Sequence, residues 1–487
     1  MSMSNRSFDH LIPVPEKSVY TDGKFFISKM ESVSFPKAAK DAFTILKRSC
    51  KVLKISLEET QNDSANVIFQ TDEKIKQDAW KIEITPEKIF LTASGKNGFF
   101  YAVGALVQIL VSALIKGRIN SAVINCGYVE DSPRFEWRGF MLDSARHFQS
   151  AETIKKLLLI FSAFRINSFH WHLSDKQAWR WNAKLIPGIT EKGEYEDGCY
   201  TQKELHEIAE LAERLGIRLI PEVDVPGHSR KLLSHRPDLA CDSSNPGCEI
   251  CLGNPKTLPF LKELFTELIE TFPHSKIIHL GGDEAATDAW EKCPQCQSAM
   301  KKLALSSPRQ LENHFMNELT QFILLQGRTP MMWGTCSGQK YDPRTIMQAW
   351  LDIREPIRLA QDGNKVVYSV HNSFYFDYPA DLSEPHETWM FELSERGIYM
   401  ADPYIIWADR VKDSILGTEA CLWTERVPEW RVMQKILPRI FAYSECSWSV
   451  PERKEYNDFV RRRKHLESAG YLEILRNAFS ESFIADF

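Results

Sequence analysis

Two neighbouring carboxylates, Asp283 and Glu284, are the side chains in this sequence whose types and spacing most directly suggest chemistry. They follow a short apolar run and the pair Gly281-Gly282, which lets the backbone turn tightly and come close to a ligand. Adjacent ionised carboxylates repel each other, and this repulsion raises the pKa of one of them. A carboxyl group with a raised pKa can serve as a general acid near neutral pH, so we expect acid–base catalysis here.

Polar and aromatic side chains also follow the other short apolar runs in the second half of the chain. Carboxylates together with aromatic rings suit a sugar, because its C–H faces stack on rings and its hydroxyls donate to carboxylates. The groups at these positions are Asp143 with Arg146 and His147, His170 to Asp175, Glu222 to His228, Trp333, Trp350, Tyr375 with Asp377, and Trp423 with Glu425. The sequence therefore predicts a carbohydrate site.

Short apolar strands that alternate with amphipathic helices would position these groups. Ser150 is a good N-cap for the first helix, in which Ile154, Leu157, Leu158 and Phe161 recur at helical spacing. Further helices are predicted near residues 202–215, 257–271 and 309–326. Strands are predicted at residues 139–143, 168–173, 218–223, 276–280, 330–333, 345–350, 365–369 and 415–420. Eight β/α units predict a closed (β/α)8 barrel of the α/β class, with the site at the carboxyl ends of its strands.

The first part of the chain has a different pattern, in which β-rich runs dominate. Runs at residues 80–85 and 89–93 flank Pro86-Glu87-Lys88, which is a hairpin signal, and helices are predicted near residues 36–50 and 96–115. We therefore predict a small N-terminal α+β domain at residues 1–130. The catalytic barrel, with a C-terminal helical segment, is predicted at residues 131–487.

Composition argues against several classes of partner. The net charge of −5 disfavours a nucleic-acid partner. No membrane partner is expected, because the longest apolar patch, residues 101–115, is interrupted by Gly104, Gln108 and Ser112. Residues 1–16 lack the pattern of a secretory signal, so we expect a cytoplasmic protein or a trimmed secreted or periplasmic one. The oligomeric state stays open.

Five of the 11 cysteines fall in one region of the sequence. Cys248 and Cys251 form one C-x-x-C pair, Cys293 and Cys296 form a second, and Cys241 is an extra candidate. Paired C-x-x-C motifs have the spacing of a structural zinc site, although these two pairs are farther apart than in a compact zinc ribbon. Disulfides and free thiols remain open, and together they are favoured over zinc.

Five sequence blocks contain most of the candidate site residues: Arg138-Gly-Phe-Met-Leu-Asp143-Ser-Ala-Arg146-His147, Phe169-His-Trp-His-Leu-Ser-Asp175, Asp224-Val-Pro-Gly-His228, His279-Leu-Gly-Gly-Asp283-Glu284 and Leu422-Trp423-Thr-Glu425. They resemble the signatures of the family 20 glycoside hydrolases, the β-N-acetylhexosaminidases. The resemblance extends to the first domain, since Leu11-Ile-Pro-Val-Pro-Glu16 looks like the start of that family's N-terminal α+β domain. It implies an exo-acting, retaining hydrolase that removes terminal β-linked N-acetylhexosamine from glycans or glycoconjugates, with no cofactor and no metal.

The resemblance also implies substrate-assisted catalysis, in which the 2-acetamido oxygen of the sugar attacks the anomeric carbon. Water then opens the resulting oxazolinium intermediate. Glu284 would be the general acid and afterwards the base, and Asp283 would hold the acetamido N–H. Tyr375 would donate to the acetamido oxygen. His228, backed by Asp175, would contact Glu284 and help to set its pKa.

For substrate binding, the resemblance implies roles for six residues. Trp333, Trp350 and Trp423 would wall the acetamido pocket and the ring face. Arg138 and Glu425 would grip ring hydroxyls, and Asp377 a further hydroxyl. Of the other strand-end groups, we interpret Arg146 and His147 as structural pairs under the site, and His170, Trp171 and His279 as packing residues of the barrel.

Three alternatives stay open at this point. A relative of the same chemistry could release a disaccharide instead of one sugar. A metal-dependent barrel hydrolase could use the His170-x-His172 spacing with His228 or His279 and Asp283, but the later strands lack a clear ligand set. A catalytically silent sugar-binding protein would typically lose the acid, whereas both acidic residues of the pair are present.

Overall fold

The computed structural model describes residues 6–60, 64–114, 121–195, 197–334, 340–404 and 409–479. The first unit contains a seven-stranded mixed sheet in the order β1-β7-β5-β6-β4-β2-β3. Its strands are β1 (Lys17–Phe26), β2 (Ser32–Ser34), β3 (Glu58–Glu59), β4 (Val67–Thr71), β5 (Trp80–Ile84), β6 (Ile89–Ala93) and β7 (Val123–Asp131). The predicted hairpin is confirmed, because β5 and β6 pair antiparallel with Ile84 opposite Ile89.

Helices α1 (Lys40–Val52) and α2 (Lys96–Leu114) pack in this first unit. By length and composition alone α2 could cross a membrane, but most of its residues are buried inside the protein. Gln108, a polar residue in this apolar helix, uses its side chain to hold the backbone of Ile12. Its amide oxygen accepts from the N–H of Ile12 (2.9 Å), and its amide nitrogen donates to the carbonyl of Ile12 (2.8 Å). We therefore regard α2 as a core helix. Ile115, the predicted helix end, lies outside the described residues.

The second unit is a closed barrel of eight parallel strands, as the sequence predicts. Each strand pairs with the next along the chain, and the last strand pairs with the first, with Thr418 opposite Arg138. The strands are β8 (Trp137–Asp143), β9 (Ser168–His172), β10 (Arg218–Glu222), β11 (Ile277–His279), β12 (Thr329–Trp333), β13 (Ile346–Ala349), β14 (Lys365–Tyr368) and β15 (Ile415–Leu422). All residues of β8 and β9 are buried, as expected for strands covered on both faces.

Helices surround the barrel and follow it. They are α3 (Ala151–Ala163), α4 (Gln202–Arg214), α5 (Arg230–His235), α6 (Thr257–Thr271), α7 (Asp288–Lys292), α8 (Pro294–Lys302), α9 (Pro308–Leu325), α10 (Glu355–Gln361), α11 (His371–Phe374), α12 (Glu395–Met400), α13 (Asp409–Lys412), α14 (Glu429–Ile436), α15 (Arg439–Trp448), α16 (Tyr456–Ser468) and α17 (Tyr471–Ala478). The predicted N-cap is confirmed, since the Ser150 hydroxyl accepts from the Thr153 N–H at 3.3 Å.

The change from one sheet to the other falls between β7, which ends at Asp131, and β8. The buried carboxylate of Asp131 fixes this junction. It accepts from Arg165 (2.7 Å) and from the indole N–H of Trp448 (2.8 Å), which lie on other elements of the second unit. The exact division at residues 130 and 131 stays a prediction.

Candidate active site

A cavity of about 550 Å³ opens at the carboxyl ends of the barrel strands. This is the end at which (β/α)8 barrels place their functional groups. Most of the predicted site residues line it: His228, Asp283, Glu284, Trp350, Tyr375, Asp377, Trp423 and Glu425. The loops after several different strands therefore bring together side chains that are far apart in the sequence.

The loop after β11 presents the acidic pair through a tight backbone turn. Gly281 has φ +71°, and a Cβ atom there would lie only 1.8 Å from the carboxylate of Asp224. The same carboxylate accepts from the N–H of Gly282 at 3.1 Å. Glu284 (φ +47°) and His228 (φ +51°) are also in the left-handed region, which is costly for residues other than glycine and is typical of functional sites.

Asp283 is buried at the base of the cavity. Among the described residues, its Oδ1 atom has no hydrogen-bond partner. Burial raises the pKa of Asp283 to about 6, although the nearby His228 cation opposes this shift. Burial and the charge of Asp283 also raise the pKa of Asp224 well above its usual range. We therefore expect Asp224 to hold a proton while Asp283 is ionised, with its buried Oδ1 atom available to accept a hydrogen bond.

Glu284 is more exposed, and its side chain extends into the open part of the cavity. His228 lies between two carboxylates, with Nε2 3.5 Å from Glu284 and Nδ1 3.1 Å from Asp175. The close approach of the His228 imidazole lowers the pKa of Glu284. The raised pKa predicted for the general acid is found on Asp283 instead, because Asp283 is buried whereas Glu284 is more exposed and interacts with His228.

Aromatic rings form the walls of the cavity. Trp350 is fixed by a hydrogen bond from its indole N–H to the carbonyl of Gly334 (2.8 Å), and Tyr375 lies 6.3 Å from Trp423 between ring centres. Trp333 is fully buried behind Trp423, at 5.7 Å between ring centres. Trp333 therefore supports the wall from behind, and its direct contact with a sugar stays a prediction.

Two further carboxylates line the cavity beside the aromatic wall. Asp377 is buried, and its Oδ1 atom has no hydrogen-bond partner among the described residues. Burial, followed by the repulsion from Glu425, raises the pKa of Asp377 to about 8. Glu425 is partly exposed and lies 3.6 Å from the guanidinium of Arg146. These oxygens are placed to accept hydrogen bonds from a polyhydroxylated ligand.

The structure contradicts the role that the resemblance implies for Arg138. Its guanidinium is fully buried and donates to the carbonyls of Phe135 (2.6 Å) and Arg165 (2.7 Å) and to the hydroxyl of Tyr101 (2.8 Å). Arg138 lies at the amino end of β8, about 16 Å from the carboxyl end at roughly 3.3 Å per residue. It therefore cannot grip a sugar in the cavity.

Arg146, which the sequence analysis treated as a structural residue under the site, lines the cavity instead. The carboxylate of Asp143 accepts from its backbone N–H at 3.1 Å and holds the turn that follows β8. The guanidinium lies 2.8 Å from Asp175 and 5.0 Å from the ring centre of Trp423. Its Nε atom has no partner among the described residues. Its place just after a strand end was the signal that could have identified it.

The mouth of the cavity contains residues that the sequence analysis did not select. Trp389, which is 64 % exposed, and Met390 lie there with the ion pair of Glu387 and Arg426 (2.6 Å). Glu387, Trp389 and Met390 belong to the long segment between β14 and β15, and Arg426 belongs to the loop after β15. These segments have no apolar periodicity from which a site residue could be predicted.

Three of the four histidines of the metal alternative lie beneath the cavity in a buried polar network, namely His170, His172 and His279, whereas His228 lines the cavity. His170 bonds Glu419 (2.8 Å) and Glu222 (3.1 Å), and His172 bonds Glu222 and Asp175 (3.1 Å). Glu222 also accepts from the indole N–H of Trp333 at 2.8 Å. Some of these groups are close enough to share a cation. However, both nitrogens of His170 and of His172 already face carboxylates, so the network is best explained as the support of the cavity floor.

The sequence matches one family over most of its length. Residues 135–451 match the family described as "Glycosyl hydrolase family 20, catalytic domain", and residues 9–132 match "Glycosyl hydrolase family 20, domain 2". The chain belongs to glycosyl hydrolase family 20. Both units of this family 20 protein are therefore covered by the match.

Individual relatives agree with this assignment. A "Beta-hexosaminidase" from Akkermansia muciniphila is 28% identical over 412 residues, which is 80% of this chain and 83% of the relative. The solved structure of a GH20 exo-β-N-acetylglucosaminidase from Vibrio harveyi, in complex with N-acetylglucosamine, matches with a TM-score of 0.86 and 26% identity, covering 97% of this chain and 79% of that one. A β-N-acetylhexosaminidase from Bacteroides fragilis matches with a TM-score of 0.84 and 26% identity, covering 96% of both chains.

Proposed function

We propose that this family 20 glycosidase removes terminal β-linked N-acetylhexosamine, as N-acetylglucosamine or N-acetylgalactosamine, from the non-reducing ends of glycans. The bond would be cleaved with retention of configuration through an oxazolinium intermediate. The observation that carries the proposal is the buried Oδ1 atom of Asp283, which has no hydrogen-bond partner in the described part of the chain. Asp283 lies beside Glu284 in a cavity walled by Trp350, Tyr375 and Trp423. An N–H group attached to a sugar ring is the donor that such an acceptor needs.

In the first step the acetamido oxygen attacks the anomeric carbon while Glu284 protonates the leaving oxygen. Asp283 accepts the acetamido N–H, orients the group and stabilises the positive charge that develops on it. Tyr375 donates to the acetamido oxygen. In the second step Glu284 removes a proton from the water that opens the ring, which restores the enzyme.

Glu284 has a lowered pKa in the free enzyme, so its role as an acid needs a physical explanation. The side chain is 58% exposed to solvent. A bound sugar would exclude this solvent, and desolvation raises the pKa of a carboxyl group. We infer that substrate binding itself shifts Glu284 toward its protonated form, with His228 and Asp175 holding the carboxyl in position.

The first test is the configuration of the product. Hydrolysis of an aryl β-N-acetylglucosaminide, followed by NMR before mutarotation, should first release the β-anomer. The corresponding aryl β-glucoside, which has no acetamido group, should be cleaved far more slowly. First release of the α-anomer would contradict retention, and equal rates on the two substrates would contradict acetamido participation.

Product binding should depend on pH through Asp283. Below its pKa of about 6 Asp283 is protonated and loses the charge that strengthens the acetamido hydrogen bond. The affinity for N-acetylglucosamine should therefore be greatest above this pKa and should fall as the pH falls through it. We expect a loss of about fivefold, equivalent to about 1 kcal/mol. Isothermal titration calorimetry over a pH series measures this change.

The control for this titration is Asp283→Asn, whose affinity should be independent of pH over the same range. NMR titration of the Asp283 carboxyl carbon measures its pKa directly. A wild-type affinity that stays constant as the pH passes through that pKa would show that Asp283 is not the acetamido acceptor.

The two arginines at opposite ends of β8 provide a matched pair of substitutions. Arg146→Lys should raise KM about tenfold or more with a smaller change in kcat, because lost hydrogen bonds to a charged group are worth about 1.5–3 kcal/mol. Arg138→Lys should leave both constants unchanged and lower the free energy of unfolding by about 1.5–3 kcal/mol, because lysine cannot reproduce the buried hydrogen bonds of the guanidinium. Steady-state kinetics and urea unfolding measure these effects, and the reverse pattern would restore Arg138 as the sugar ligand.

A further inference from the structure

A cluster of four thiols lies outside the active-site cavity. Cys251 Sγ is 3.6 Å from Cys293 Sγ and 3.6 Å from Cys296 Sγ, and Cys241 Sγ is 3.9 Å from Cys296 Sγ. All four sulfur atoms lie within 4.8 Å of one another, and each of these cysteines is a free thiol. Cys248, which the C-x-x-C spacing paired with Cys251, is not in the cluster, and Cys241 takes its place.

The distances between the sulfur atoms distinguish a metal site from disulfides. With Zn–S bonds of about 2.3 Å, the edges of a tetrahedral tetrathiolate site measure about 3.8 Å. A disulfide requires about 2.05 Å between sulfur atoms. Three of the six separations, at 3.6–3.9 Å, match the tetrahedral edges, and the other three are no longer than 4.8 Å. We propose that Cys241, Cys251, Cys293 and Cys296 bind one structural Zn²⁺ ion.

The chemistry of the cluster suits this ion. Thiolates are soft ligands that select zinc over the hard cations, and four protein ligands leave no open position for substrate. Binding is not a redox step. Each of the four thiols loses its proton to solvent, four S–Zn bonds form, and the resulting site has a net charge of −2. The site is therefore structural and takes no part in bond cleavage.

The ligands come from two loops that follow neighbouring barrel strands. Cys241 and Cys251 belong to the segment after α5, which an antiparallel bridge between Ala240 and Ile250 closes into a loop. Cys293 and Cys296 lie at the amino end of α8, where Cys293 is the N-cap. The loops touch closely, since a Cβ atom on Gly253 would be 2.3 Å from the Gln295 carbonyl. This contact leaves no space for a side chain at position 253, so only glycine fits there.

The same two loops carry catalytic groups. In the loop after β10, the N–H of Ser229, next to His228, donates to the carbonyl of Cys248 at 2.8 Å. In the loop after β11, the indole N–H of Trp290 donates to the carbonyl of Ile250 at 2.9 Å. Zinc would join these loops by covalent-strength bonds and so hold His228 at its distance from Glu284. The ion would thus clamp together the two loops that present the acid–base pair.

Metal analysis of the purified protein tests the site without using activity. Inductively coupled plasma mass spectrometry should find about one zinc per chain in the wild type, as four cysteines form one site. Cys248→Ser is the matched control and should keep its zinc, whereas Cys251→Ser and Cys296→Ser should lose most of it. A wild type that stays zinc-free after incubation with Zn²⁺ under reducing conditions would overturn the proposal. Equal zinc content in all variants would overturn it as well.

Cobalt replacement tests the ligand set in the wild type and does not depend on whether the variants fold. Co²⁺ in place of zinc should give the strong visible absorption of a tetrahedral site together with thiolate-to-cobalt charge transfer. The weak spectrum of an octahedral cobalt ion would overturn the tetrathiolate assignment. So would an intact mass that shows disulfides among these four cysteines in freshly purified protein.

Removal of the zinc by a chelator tests the clamp. The thermal midpoint of the wild type and of Cys248→Ser should fall by roughly 5 °C or more, since a ligand that binds only the folded state stabilises it. Added Zn²⁺ should restore the midpoint. No change in the midpoint after confirmed removal of the metal would overturn the clamp.

Discussion

Glu284→Gln is expected to lower kcat/KM for a chitobiose-type disaccharide by about 10³-fold, within the usual range of general acid catalysis. Glutamine has nearly the same shape and can still accept a hydrogen bond from His228, but it has no proton to give to the leaving oxygen. The loss should be much smaller for an aryl substrate with a strongly acidic phenol, which leaves without protonation. Steady-state kinetics on both substrates measure this difference.

Glu387→Gln is the matched control for this variant. Glu387 also lines the cavity, but at its mouth, where it pairs with Arg426. We expect little change on either substrate. Equal losses in Glu284→Gln on the disaccharide and on the aryl substrate would show that Glu284 is not the acid. The departure of an acidic phenol needs no proton, so loss of the general acid should not slow it.

Asp283→Asn is expected to lower kcat by about 10²–10³-fold, the usual effect of removing one preorganised charge-stabilising contact. Asparagine cannot balance the positive charge of the oxazolinium intermediate, and its amide group can present a donor where the acetamido N–H needs an acceptor. The mechanism should change along with the rate. Wild-type rates should fall steadily as fluorine atoms on the acetamido group weaken its oxygen as a nucleophile, and the variant should show a flatter dependence.

Asp224→Asn is the matched control for Asp283→Asn. Burial and the charge of Asp283 hold the pKa of the wild-type Asp224 carboxyl well above its usual range. Asparagine therefore replaces a side chain that is already neutral. Asparagine can still accept from the N–H of Gly282. We expect a small effect on kcat. A loss as large as that of Asp283→Asn would place the essential charge on Asp224 and overturn the assignment.

Local patterns were enough to predict the fold and much of the site. The bounds predicted for α6, residues 257–271, coincide with those of the structure, since helix periodicity is a property of consecutive residues. Polar groups that follow apolar strands, such as Asp283 and Glu284, were identified for the same reason. In a parallel barrel the carboxyl ends of all strands meet on one face, so strand-end position alone predicts that such groups converge.

The sequence by itself thus determined the barrel, the acidic pair and the aromatic residues around it. The tertiary structure decided the properties that depend on distance across the fold. It placed Arg146 in the cavity and Arg138 at the opposite end of the barrel, although both lie in one motif. It gave the raised pKa to Asp283, because burial depends on neighbours contributed by other strands. It also replaced Cys248 by Cys241 in the thiol cluster, because loop closure brings distant residues together where sequence spacing cannot.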